Sequence, residues 1–92
     1  MYAAYELHAY LERHAVREPF YLRISEPCVS AEGGDFFCLV HAPVLFQDDK
    51  KIFGADGRQA RELAAQFAKS LLRGRRLTDE AGRPIDAARL EM

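Results

Sequence analysis

Two hydrophobic periods run through this chain and change over near residue 55. Beyond it, apolar residues recur every three or four positions, at Ala60, Leu63, Ala64, Phe67, Ala68, Leu71 and Leu72. That spacing draws one apolar stripe along an amphipathic helix, here over about residues 57–73. Asp56 stands before it as an N-cap, with Gln59 three residues on in the capping-box position. Gly74 follows as a residue suited to the left-handed conformation that ends helices. Before residue 55 the period is two. Phe20, Leu22 and Ile24 alternate with Tyr21, Arg23 and Ser25 between Pro19 and Pro27. Glu32-Gly33-Gly34-Asp35 reads as a turn, and a second run over residues 36–42 ends at Pro43. Two such runs joined by a turn predict antiparallel pairing. Residues 50–54 add a short strand leading into the helix, after the polar turn Gln47-Asp48-Asp49.

The first seventeen residues fit both periods. As a strand, Tyr5, Leu7, Ala9 and Leu11 alternate with Glu6, His8, Tyr10 and Glu12. As a helix, Ala3, Leu7, Tyr10, Leu11 and His14 share a face. Propensity does not decide against tertiary context, and both readings stay open here. After Gly74, residues 79–84 read as a turn between two short extended pieces, and residues 86–92 as a helical turn or a fraying end. The expected fold is a single α+β domain over residues 1–92. An antiparallel sheet of three to four strands packs on one long helix at about residues 57–73. Residues 75–92 form a peripheral C-terminal turn or tail. The expected core sets Ile24, Phe36, Cys38 and Val40 against Leu63, Phe67, Leu71 and Leu72, so truncating Leu63 or Phe67 to alanine should cost about 2–5 kcal/mol.

Ninety-two residues make one small domain, and 49% apolar with 29% charged residues is an ordinary globular balance. That balance excludes a disordered chain, a collagen and a disulfide scaffold. No apolar run approaches the roughly 18 residues of a membrane helix, so no membrane contact is expected. No basic and apolar leader opens the chain, which points to the cytoplasm and to reduced thiols at Cys28 and Cys38. Ten arginines against three lysines, fourteen alanines and no asparagine suggest a GC-rich, bacterial coding sequence. The net charge of −1 disfavours nucleic acid as a partner, but the charge is unevenly spread. Residues 1–56 hold five basic and nine acidic side chains, whereas residues 57–83 hold seven basic and three acidic. Arg58, Arg61, Arg73, Arg75 and Arg76 are thus a candidate basic strip for an acidic partner or a phosphate backbone. The plainer account is a solvated helix face whose cations complement the helix dipole.

Two stretches resemble a family of small bacterial proteins known only as a domain of unknown function. Its pattern is a Gly-Asp-aromatic-x-Cys strand, then a Phe-Gly-Val-Asp-x-x-Gln-Ala turn opening an Ala/Leu-rich helix. The matching residues are Gly34-Asp35-Phe36-Phe37-Cys38 and Phe53-Gly54-Ala55-Asp56-Gly57-Arg58-Gln59-Ala60, in an order that fits over about residues 5–73. Ala55 replaces the valine and Arg61 the usual leucine. The resemblance implies a strand at residues 5–11 and a curved antiparallel sheet backed by one helix. It implies no activity. A second likeness competes. If residues 3–16 are helical, the order α-β-β-β-α is similar to that of double-stranded RNA-binding domains, with Ala60-Arg61-Glu62-Leu63-Ala64-Ala65 in the last helix. Those domains clamp phosphates with a lysine cluster, where this chain offers Arg58 and Arg61 beside Asp56 and Glu62.

Candidate chemistry is sparse. Gly54-Ala55-Asp56-Gly57 opens a helix whose N–H groups can hold an anion, yet Asp56 caps those donors itself. Cys28, Cys38 and His41 match no common zinc spacing, and Cys38 and His41 point to opposite faces of a strand. Cys28 after Pro27 has no orienting third group, and Ser25, Ser30, Ser70 and Thr78 lie in no nucleophile elbow. Asp48 and Asp49 sit in a polar turn. We therefore read no catalytic residue, no metal site and no cofactor, and expect no enzyme. The informative feature is two-sidedness. One helix covers one sheet face, yet both faces are apolar. Phe20, Leu22, Ile24, Phe36, Cys38 and Val40 make one. Tyr10, Tyr21, Phe37, Leu39 and His41 make the other, joined by His8 and by the run Val44-Leu45-Phe46. An open apolar face marks an interface unless a terminal segment folds over it. The expected function is a non-enzymatic interaction module with a protein partner or a second copy on that face, and an antitoxin- or immunity-like role suits its size. RNA binding through the arginines is the alternative.

Overall fold

A computed structural model describes residues 3–31 and 33–85, with the side chains of Ala3 and Ala4 outside that description. Six strands and one helix follow in the order β1 (Ala3–Arg13), β2 (Val16–Ser25), β3 (Cys28–Val29), β4 (Phe36–His41), β5 (Lys50–Gly54), α1 (Gly57–Leu72) and β6 (Arg76–Thr78). The fold is α+β with an antiparallel sheet. Among the described residues it has six strands where three to four were expected, and α1 is a helix of ordinary length, 16 residues, rather than a long one.

The N-terminal segment is a strand, so the α-β-β-β-α order does not form. β1 and β2 make a long hairpin that pairs Leu7 with Leu22, Ala9 with Phe20 and Tyr10 with Pro19. Pro19 is tolerated because β4 meets β2 at Arg23 and Ile24, which leaves one side of Pro19 without a neighbouring strand among the described residues. The hairpin turns at His14 and Ala15, both with positive φ (51° and 64°). Positive φ at both central residues is the type I′ turn, normally built from Asn-Gly. An alanine there costs about 1 kcal/mol or more. Ala15→Gly should therefore raise the urea midpoint by an amount equal to about 1 kcal/mol, with an unchanged slope.

β2 and β3 lie along the same edge of β4, because the pairs Ile24–Val40 and Cys28–Phe37 differ by one residue in register. The extra residue falls in the bend at Glu26-Pro27. The interrupted ladder is repaired by a side chain: the buried Ser25 hydroxyl accepts the Leu39 N–H at 2.8 Å and donates to the Glu26 carbonyl. β5 takes the other edge of β4. At the opposite end of the sheet, Tyr10, Leu11 and Glu12 of β1 pair with β6. Residues 76–78, expected in a peripheral tail, thus belong to the sheet, and Leu77 and Thr78 are buried. The turn beyond them and its second extended piece match expectation, with Pro84 bridging Thr78 and the Ile85 N–H bonding the Leu77 carbonyl. Glu32 and residues 86–92 lie outside the described residues.

The helix begins and ends as its sequence directs. Asp56 caps it by accepting the Gln59 N–H, while the Gln59 amide oxygen accepts the Ala55 N–H. Gly74 follows the C-cap with φ +79°. Its contact with the sheet differs from expectation. The buried row is Ala60, Ala64, Ala68 and Leu72. Leu63 is 37% exposed, and Phe67 and Leu71 pack only partly against the core. Small side chains let the helix backbone approach the sheet closely, and Leu63 is rotated off the contact line. Val44, Leu45 and Phe46, expected on the second sheet face, pack partly against this core, and Val44 also reaches the border of that face.

Candidate functional site

Strand parity sorts the sheet into two faces. Along β4, Cys38 and Val40 are fully buried under the helix, while Phe37, Leu39 and His41 between them are half-buried. Register carries that division across the sheet, since residues directly opposite share a face. His8 faces Tyr21, Arg23 faces His41, Leu39 faces Lys51 and Phe37 faces Phe53. Tyr10, Tyr21, Phe37, Leu39 and His41 are therefore brought together on one face, with His8 and Phe53 added to it.

The rings form two groups, a row of three and a pair. His8 lies 4.6 Å from Tyr21 and Tyr21 lies 5.9 Å edge-on from His41, centroid to centroid. Phe37 and Phe53 are 5.8 Å apart. Cations cover the ends: the Arg17 guanidinium stands 4.2 Å above Tyr10, and the Lys51 ammonium stands 5.0 Å from Phe37. Arg17 is fixed there by donating to the Thr78 hydroxyl at 3.4 Å and to the Asp79 carbonyl. His41 Nδ1 lies 2.7 Å from the Asp49 carboxylate, which orients its ring. A groove of about 590 Å³ crosses β1 and β2 and is lined by His8, Tyr10, Pro19 and Tyr21, with Pro43 and Val44 beside β2 and Asp79 and Glu80 beside β1. A smaller groove of about 460 Å³ lies at the other end, between Val29, Ala31 and Asp35 on one side and Phe37, Lys51 and Phe53 on the other.

The five arginines do not form a strip. Arg58 pairs with Glu62 at 3.1 Å and Arg61 with Glu26 at 2.9 Å, both at the start of α1. Arg73 and Arg75 lie at the other end, about 22 Å away at 1.5 Å per residue. Arg75 donates to the Leu71 carbonyl at 2.7 Å and so closes the helix end. Arg76 is on β6, 3.8 Å from Glu12. Pairing with carboxylates cancels most of the field a phosphate backbone would need.

The thiols show no activated geometry. Cys38 faces the helix, and burial pushes its thiol up in pKa, opposed by the charge of Arg61. Such a thiol stays protonated and is a poor nucleophile. Cys28 is half-buried, and its thiol donates to the Glu26 carbonyl at 3.5 Å. Cys38 and His41 point to opposite faces. Among the described residues, no group of three or more His, Cys, Asp or Glu side chains could hold a metal. No described helix is long and apolar enough to cross a membrane. Compared with models of known families, with curated proteins and with solved structures, the chain matches none.

Proposed function

We propose that this protein is a non-enzymatic interaction module whose open sheet face receives a protein partner. The observation that supports this reading is the set of rings, half-buried at Tyr10, Tyr21, Phe37 and His41 and exposed at His8 and Phe53, that lies with Leu39 on the face opposite α1. Contiguous apolar and aromatic surface of this kind is where protein interfaces place their anchors. The charges on the face favour a protein over a nucleic acid. Arg17, Arg23, Lys51 and Arg76 are interspersed with Glu6 and Glu12, and Asp49 stands on His41. A mixed rim around apolar rings matches the anatomy of protein interfaces.

Tyr21 is the centre of the row, touched by His8 and His41. Tyr21→Glu and Leu39→Lys should each abolish retention of a partner on an affinity column carrying the protein, with Arg58→Glu as a control that retains it. Far-ultraviolet circular dichroism and the urea midpoint identify any variant that has unfolded. Equal retention by wild type and both face variants, or no protein retained by the wild type, overturns the assignment.

A further inference from the structure

The sheet ends on β5, which pairs only with β4 among the described residues. At the other end, β6 has its outer side taken up by Pro84 and Ile85. Two of the exposed large apolar side chains, Phe53 and Leu63, flank this edge. Phe53 is 50% exposed on the ring-bearing face. On the helix side, the Arg61–Glu26 pair ties one flank of α1 to the β2–β3 bend. The 100° step per residue then turns Leu63 and Phe67 to the opposite flank, above the outer side of β5.

We propose that a second copy of this chain docks on the β5 edge, β5 against β5 in antiparallel pairing with Ile52 on the two-fold axis. This goes beyond the face reading, because it assigns the edge rather than the face to self-association. Two edges related by a two-fold axis perpendicular to the sheet pair residues of equal parity. Of those registers, centring on Lys50 or Lys51 sets like charges opposite each other, which is unfavourable. Centring on Ile52 pairs the whole strand and leaves no like charges opposed. Lys51 lies against Phe53 of the other copy, and Lys50 against Gly54. Lysine over phenylalanine is a contact this strand already makes within the chain, at Phe37 for Lys51 and at Phe46 for Lys50. The same docking covers the exposed Phe53 on one face and brings the Leu63 flanks of the two helices together on the other.

Sedimentation equilibrium over a concentration series tests it. Wild type should reach twice the 10.4 kDa chain mass. Phe53→Lys sets a new ammonium opposite Lys51 twice per dimer and should weaken association by about tenfold. The double variant Lys51→Glu with Phe53→Lys turns both pairs into opposite charges and should restore the dimer, which also shows that Phe53→Lys folds. Tyr21→Glu, on the open face, should leave the dimer intact. In the dimer, the β5 amides that point away from β4 should gain protection from hydrogen exchange. A wild type that stays monomeric at all concentrations overturns the proposal. So does a Phe53→Lys variant that dimerises like wild type, or a double variant no better than the single one.

Discussion

Replacing Gly54 by alanine should destabilise the protein by about 3 kcal/mol or more, the upper end of what overpacking costs. A Cβ built on Gly54 would sit 2.4 Å from the Ala60 nitrogen and 2.8 Å from its Cα. Both atoms are backbone, held in the first turns of α1, so no side-chain rotation relieves the clash. The helix itself would have to lift off β5 and pull the fully buried Ala60 and Ala64 away from the sheet. The requirement is steric, since Gly54 has no positive φ. Gly57 supplies the contrast. A Cβ there meets Pro27 at 3.4 Å, ordinary contact, and Gly57→Ala should change stability by less than about 1 kcal/mol. A small domain holds only about 5–15 kcal/mol in total, so the Gly54 variant should show a much lower urea midpoint while Gly57→Ala stays near wild type. Similar midpoints for the two variants would show that α1 does not rest on Gly54.

What the sequence makes legible are features decided within a few residues. The cap at Asp56, the stop at Gly74 and the alternation of residues 36–41 are local, and each is where the pattern puts it. The hairpin at His14-Ala15 is not legible, because neither residue signals positive φ and the turn is held by ten pairs along β1 and β2 rather than by its own chemistry. β6 is too short for any period to show. Its three residues are strand because Tyr10, Leu11 and Glu12 pair with them on one side and Pro84 and Ile85 on the other. The helix face misleads for another reason. A stripe of Ala60, Leu63, Ala64, Phe67 and Ala68 permits several rotations on the sheet, and Gly54 selects the one that presses alanines down and turns Leu63 outward.

The candidate face is legible to the same degree. Parity along one strand follows from the sequence, so the division of Phe37, Leu39 and His41 from Cys38 and Val40 can be read directly. Which ring meets which cannot, because register depends on turn lengths and on the bend at Glu26-Pro27. His8 reaches Tyr21, and Tyr21 reaches His41, only through two separate ladders. The basic strip fails for the converse reason. Arg58, Arg61, Arg73, Arg75 and Arg76 are near one another in the chain, but the fold gives Arg61 a carboxylate from a bend 35 residues earlier and Arg76 one from β1.

Leu72→Ala should cost about 2–5 kcal/mol, whereas Leu63→Ala should cost less than about 1 kcal/mol. Both are leucines on α1, and the apolar period alone ranks them together. Leu72 is 1% exposed and ends the row Ala60, Ala64, Ala68. The helix backbone presses on the sheet at Gly54 and Ala60, and the far end of the row holds a fully buried leucine. Truncating Leu72 leaves a cavity there that the helix cannot close by sinking, since the alanines upstream are already in contact. Leu63 leaves nothing comparable, because over a third of its surface meets solvent. Chemical denaturation of the two variants separates the cases. A Leu63→Ala loss as large as that of Leu72→Ala would mean that α1 is rotated on the sheet by roughly a residue, which would bury the Leu63 flank beside β5.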